Sequence, residues 1–345
     1  MIDNTGRIVI ELIESCGKVG KELREIVEKA CVRNLDSRMI IEGKLRERGG
    51  ERDAAMPRGI PIGERSNDNE IESIIERTGK DGIGPHFNSL ITYFWVIIAM
   101  TSTADQKKVE ELLGLIRKGL KGCFLMTDRG GPSMNTWFSQ TVVQGDTHNL
   151  TIDKLHGMNA LQCDCAIVVV RNSGSFLPAI YGLNPEKYAG LEKKAAGDRW
   201  FDGHVQLGNV KGKVTLSDNE KLIGGGFAPV AKQLSICRPR LVRVALSHLQ
   251  WLIKQGRLKP SDFHQHALAD VTVLAEAQMR FDVISPVTLD RIHALKFAFN
   301  ELLLDMVLST AVRDLQDRRD LLGLTKMEGS SYRCFLEIMA KRMAR

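Results

Sequence analysis

The sequence predicts an α+β fold in three blocks. These are an N-terminal helical domain over residues 1–122, a small central β-barrel or sandwich domain over 123–229, and a C-terminal helical bundle of four-helix type over 230–345. Three observations lead there. Both ends of the chain carry apolar residues at helical spacing, and the middle is a series of short strand-like runs cut by Gly, Asn and Asp. The two textures are also segregated along the chain, which argues against an alternating βαβ architecture.

The first block is justified by two amphipathic stretches. In "VGKELREIVEKAC" (19–31), Leu23, Ile26 and Val27 share one helical face. In "DQKKVEELLGLIRKGLKG" (105–122), Val109, Leu112, Leu113, Ile116 and Leu120 do the same, with charges opposite. Between them, residues 42–70 are rich in Gly, Pro and charge and read as a loop or a poorly ordered connection. The middle block is predicted from "CFLMT", "DTHNLTID", "CAIVVVR", "FLPAIYGL", "HVQLGNVKGKVTL" and "EKLIGGG". Its last glycines, 224–226, lack the Lys-Ser/Thr ending of a phosphate loop and read as a linker. After Pro229, helices are expected over 230–256, 260–284 and 285–323. Ser285 is the expected N-cap of the third and Pro286 its first-turn proline. A final helix follows "KMEGSSYR" (326–333).

Composition narrows the function. The chain of 345 residues is 43% hydrophobic and 26% charged, the balance of a folded globular protein. Its apolar runs "YFWVIIAM" (93–100) and "CAIVVV" (165–170) are too short to span a bilayer, so no membrane segment is expected. With no signal-peptide pattern and an odd number of cysteines, seven, a cytoplasmic protein with reduced thiols is expected. The net charge of +6 is no nucleic-acid signature but suits an anionic partner. The "CDC" at 163–165 lacks a second ligand pair at metal spacing and reads as core.

Local motifs then carry a resemblance. The stretch 103–133 opens a helix with Gln106 and Lys107, ends it near Gly119, and continues through Phe124 and Thr127 to Ser133. The stretch 153–171 holds Lys154, His156, Met158, Asn159 and Asp164. "CRPRLVRV" opens at Cys237 with Arg238, Arg240 and Arg243 following, and "MEGSSYR" sets Glu328 before Gly329, Ser330 and Ser331. In this order the chain resembles the acyl-CoA dehydrogenase superfamily of flavoenzymes, as a short and divergent member.

The resemblance implies site residues and partners. Phe124, Met126, Thr127, Ser133, His156, Met158, Arg257 and Ser330 would line the FAD site, with Ser133 and Arg238 also touching substrate. Glu328 would be the catalytic base, removing the α-proton of an acyl thioester carried by CoA or by a carrier protein. Read from the residues alone, Ser330 or Ser331 is an N-cap and Glu328 lies outside the helix.

Several places depart from the family pattern. Asp128 stands where Glu is usual, Pro132 where Gly is, His156 where Trp is, and Met158 where Thr is. No double glycine interrupts 308–329, where the family has a turn against the adenine half of FAD. Three functions follow: α,β-desaturation with hydride passing to flavin, a flavin-free isomerase or dehydratase using Glu328, and a non-catalytic subunit. An electron-transfer partner and a homodimer or homotetramer are implied by the same resemblance.

Overall fold

The structure is a computed structural model that describes residues 3–35, 60–61, 68–131, 136–173, 178–223, 228–309 and 311–342. It divides into two compact units, Gly84–Gln233 and Met1–Ile83 together with Leu234–Arg345.

The first unit is a sheet with helical cover. It holds helices α4 (Phe87–Ser102), α5 (Gln106–Arg117) and the short α6 (Pro185–Ala189). Its strands are β2 (Gly122–Leu125), β3 (Gln140–Gln144), β4 (Thr147–Met158), β5 (Cys165–Asn172), β6 (Pro178–Leu183), β7 (Glu192–Ala195), β8 (Leu207–Ser217) and β9 (Lys221–Ile223). The strand order is β7-β8-β4-β3-β5-β6-β9, with β2 laid parallel along β5. The apolar run at 93–100 is part of α4, where Trp95, Ile97 and Ile98 are buried, and Trp95 lies against β2. Contact is close because Gly122 presents no side chain: a Cβ there would stand 2.5 Å from the Trp95 ring. The six strand-like runs of the sequence supply β2, β4, β5, β6, β8 and β9, while β3 and β7 were not expected. "QTVVQ" and "EKKA" are polar and short, so pairing with β4 and β8 decides them rather than pattern.

The second unit is helical. It contains α1 (Asp3–Glu14), α2 (Lys21–Leu35), α3 (Asp68–Asp81), most of α7 (Ala228–Lys254), α8 (Asp262–Met279), α9 (Pro286–Leu308), α10 (Leu315–Leu324) and α11 (Ser331–Arg342). A two-stranded ladder joins β1 (Ile60–Pro61) to β10 (Val283–Ile284). Ser285 caps α9 as expected, accepting the Thr288 N–H at 3.1 Å.

One expectation needs correction: residues 285–323 are not a single helix. α9 stops at Leu308, and α10 starts afresh after Asp314, whose carboxylate accepts the N–H groups of Gln316 and Asp317. Ala311 and Val312 are held by tertiary pairing, since Lys259 N–H donates to Ala311 O at 2.9 Å and Leu258 bridges Val312. A long-range bridge outweighs the local helical period there. Of the expected loop at 42–70, residues 60–61 and 68–70 lie in β1 and α3, and the rest lies outside the described residues. The glycines 224–226 lie outside them too. All seven cysteines are free, and Cys165 is buried in β5.

Candidate active site

In the sheet unit, the turn after β2 is built by a buried ion pair. Asp128 and Lys154 are both shut from solvent, and Lys154 Nζ lies 3.2 Å from Asp128 Oδ2. The carboxylate also accepts N–H groups from Gly130 at 3.0 Å, Phe138 at 2.8 Å and Ser139 at 3.1 Å. It therefore ties both ends of the 128–139 loop to β4. The ammonium donates to Met126 O at 3.1 Å and sits 4.1 Å from the centre of the Trp137 ring. Burial pushes the Asp128 carboxyl upward, but the Lys154 charge and the hydrogen bonds outweigh it and leave the group below its ordinary range. Burial pulls Lys154 down to about 8, with Asp128 acting against the fall. Both groups thus stay charged at neutral pH.

Near this clasp lie Phe124, Met126, Thr127, His156 and Met158, five of the residues that the resemblance assigns to the cofactor. Leu155 N–H donates to Thr127 O at 2.9 Å, bringing Thr127 beside the bulge of β4. At that bulge His156 takes a left-handed φ of 55° and faces solvent, its N–H donating to Asn209 Oδ1 at 3.1 Å. Phe124, Met126 and Met158 are half-buried, and Thr127 is exposed. The Thr127 N–H and hydroxyl make no hydrogen bond among the described residues. Unused donors beside soft thioether surface fit a flat ring whose edge carries carbonyl acceptors, so the residues at this turn fit the ring portion of a flavin. Ser133 lies outside the described residues.

In the helical unit, Glu328 occupies the turn before α11 with a left-handed φ of 53°, followed by Gly329 at φ 119°. A left-handed backbone at a non-glycine residue is uncommon, and it persists only when the surroundings impose it. Here they do. Arg238, buried in α7, donates its Nε to Glu328 O at 2.6 Å, and Asn300 of α9 donates Nδ2 to Gly329 O at 3.1 Å. A Cβ at Gly329 would meet Arg238 Nη2 at 2.9 Å, so glycine is required. The Glu328 side chain is half-buried. Ser330 Oγ accepts the Arg333 N–H at 3.4 Å, so Ser330 caps α11 while Glu328 stands outside the helix.

Two residues of the resemblance have local partners. Arg238 holds the main chain of the Glu328 turn, as described. The Arg257 guanidinium forks onto the buried Asp317 carboxylate of α10, with Nε to Oδ2 at 2.9 Å and the second branch to Oδ1, and it lies over Trp251. Sequence reasoning missed Lys296 and Asn300, which lie beneath the Glu328 turn. Their only signal was a Lys and an Asn four apart inside the apolar run "ALKFAFNELLL" (294–304), a spacing that puts both on one buried face.

Comparison with known proteins agrees with the architecture. No protein-family model and no curated protein matches the sequence. Among solved structures, a glutaryl-coenzyme A dehydrogenase in complex with glutaryl-CoA is similar with a TM-score of 0.63 at 15% identity, over 95% of this chain and 96% of that one. Butyryl-CoA dehydrogenase from Megasphaera elsdenii gives 0.58 at 14% identity, over 95% and 99%. Glutaryl-CoA dehydrogenase from Mycobacterium smegmatis in complex with FADH2 gives 0.58 at 15%, over 80% and 79%. The chain has the acyl-CoA dehydrogenase fold. Within that fold, the sheet unit carries the Thr127 turn and the helical unit the Glu328 turn. No described helix is long and apolar enough to cross a membrane, and no described cluster of His, Cys, Asp and Glu could hold a metal.

Proposed function

We propose that this protein is a flavin-dependent dehydrogenase that introduces an α,β double bond into an acyl thioester, with Glu328 as the general base. The observation that carries the reading is the Glu328 turn: one carboxylate, in a left-handed conformation, with its main chain fixed by Arg238 and Asn300. Strain held in this way is characteristic of functional positions.

The chemistry follows from the residues. A thioester α-carbon is a weak acid, so its proton leaves only to a base placed in line with the C–H bond. Glu328, half-buried, accepts that proton as a carboxylate and becomes a neutral acid. Arg238 and Asn300 fix the main chain from which the Glu328 carboxylate extends. Thr127, Met126, His156 and Met158 would hold the flavin ring, with Thr127 offering hydrogen-bond donors at the ring edge. Bound flavin supplies the two-electron acceptor for the hydride from the β-carbon. The thioester carrier is CoA or a carrier protein, and a separate electron-transfer partner would reoxidise the enzyme. Glutaryl-CoA and butyryl-CoA, named with the similar structures, are the first substrates to offer.

The test uses purified protein. Flavin absorbance should copurify, and an acyl-CoA should bleach it anaerobically. Glu328→Gln should keep the flavin spectrum and lose bleaching by about 10²- to 10⁴-fold in rate. Bleaching that survives at wild-type rate in Glu328→Gln would rule out Glu328 as the base.

A further inference from the structure

Lys296 and Asn300 sit one turn apart on α9, and neither has any exposure to solvent. Lys296 Nζ donates to Asn300 Oδ1 and, at 3.1 Å, to Leu324 O at the end of α10. Asn300 in turn donates to Gly329 O at 3.1 Å. One ammonium therefore reaches, directly and through one amide, the two residues that bracket the turn containing Glu328. An apolar side chain could fill this space without desolvating a charge, so the contribution of the ammonium lies in the contacts it makes. Lys suits the task, because its three donors let one point charge hold acceptors from separate segments.

Complete burial is unfavourable for the Lys296 charge. Burial pulls its pKa down to about 7, Cys334 from α11 and Glu328 from the turn act upward, and Arg238 from α7 acts downward. Among the described residues, these three groups act on its charge from the elements packed around α9.

We propose that Lys296 is a positioning residue that holds the Glu328 turn in the conformation presenting its carboxylate, acting through Asn300 and the Leu324 carbonyl. Its catalytic consequence rests on Glu328 being the base; its hold on the turn does not.

The experiment has two arms on the full chain. The first measures amide hydrogen exchange across residues 325–333 in wild type, Lys296→Met and Asn300→Asp. Lys296→Met should speed exchange there by about tenfold or more, with protection in α8 and in the sheet unit retained. Asn300→Asp keeps an acceptor for Lys296 but cannot donate to Gly329 O, so it should loosen the Gly329 end even if Lys296→Met fails to fold. Wild-type exchange in a folded variant overturns the proposal. The second arm follows the pH profile of flavin bleaching. Loss of a cation raises a neighbouring carboxyl pKa, so the acid limb should move up by about one pH unit in Lys296→Met. An unmoved limb, in an enzyme that Glu328→Gln inactivates, also overturns it. If Glu328→Gln stays active, the base assignment falls instead, and the exchange arm alone decides the role of Lys296.

Discussion

Replacing Asp128 with Ala should show how much of the sheet unit depends on one carboxylate. The side chain is 2% exposed and accepts from Lys154 Nζ and three backbone N–H groups. Its removal leaves a buried ammonium uncompensated, which costs about 3–5 kcal/mol. The three stranded donors push the loss toward the upper end of that range, unless water enters the gap. Equilibrium urea unfolding of wild type and Asp128→Ala measures it. The pH dependence has a defined sign. The Asp128 pKa is below its ordinary value, so its contribution is complete above about pH 4, where the unfolded carboxyl is ionised, and is lost as pH falls through the native value. The gap between the two proteins should therefore close in strong acid. Adding Lys154→Met to Asp128→Ala removes the uncompensated charge and should recover part of the loss. A single variant that loses less than about 1 kcal/mol at neutral pH, or a double variant no better than the single, would refute the buried-pair account.

Two further substitutions probe the helical unit. Gly329→Ala places a Cβ 2.9 Å from Arg238 Nη2 on a backbone at φ 119°, so it should destabilise the protein by about 1–3 kcal/mol and slow flavin bleaching; unchanged thermal unfolding would contradict the geometry. Arg257→Ala removes the forked guanidinium from the buried Asp317 carboxylate and should cost about 1.5–3 kcal/mol in urea unfolding, with or without flavin. If stability holds and only flavin content falls, Arg257 serves the cofactor's phosphates instead.

What the sequence made legible follows the range of the interactions. Helical period showed α2 and α5, β-branched runs showed β5 and β6, and Ser285 with Pro286 marked the start of α9, because each signal is contained within a few residues. The break between α9 and α10 escaped, since it depends on Lys259 and Leu258, some fifty residues earlier in the chain. Glu328 was visible because Gly-Ser-Ser follows it, but its left-handed φ was not, since that conformation is imposed by Arg238 and Asn300 from two other helices. Lys154 stood out only through the resemblance, and neither its ring contact with Trp137 nor its pairing with Asp128 could be read from spacing.

The two buried lysines point to a common device. Lys154 donates to Met126 O and Asp128 behind the Thr127 turn, and Lys296 donates to Leu324 O and Asn300 behind the Glu328 turn. In both, an ammonium displaced from water donates to a backbone carbonyl 28 residues away in sequence and to one side-chain oxygen. Their electrostatics differ. Lys154 has a carboxylate partner that stays ionised, so breaking the pair leaves a lone charge and stability falls. Among the described residues, Lys296 has only neutral acceptors in hydrogen-bond contact, and burial pulls its pKa to about 7, well below that of an unfolded lysine. A base whose native pKa is depressed favours the unfolded chain, most strongly below pH 7, and this penalty fades as pH rises from 7 toward the unfolded value near 10.5. Lys296→Met removes that penalty but strands the Leu324 carbonyl, and the two effects oppose each other. The variant should therefore unfold at a denaturant concentration close to wild type or above it at neutral pH, while its Glu328 turn exchanges faster. Stability kept and geometry lost in one protein separates a residue retained for position from one retained for folding. A Lys296→Met protein that unfolds several kcal/mol more easily at pH 7 would show instead that this ammonium is chiefly a structural tie.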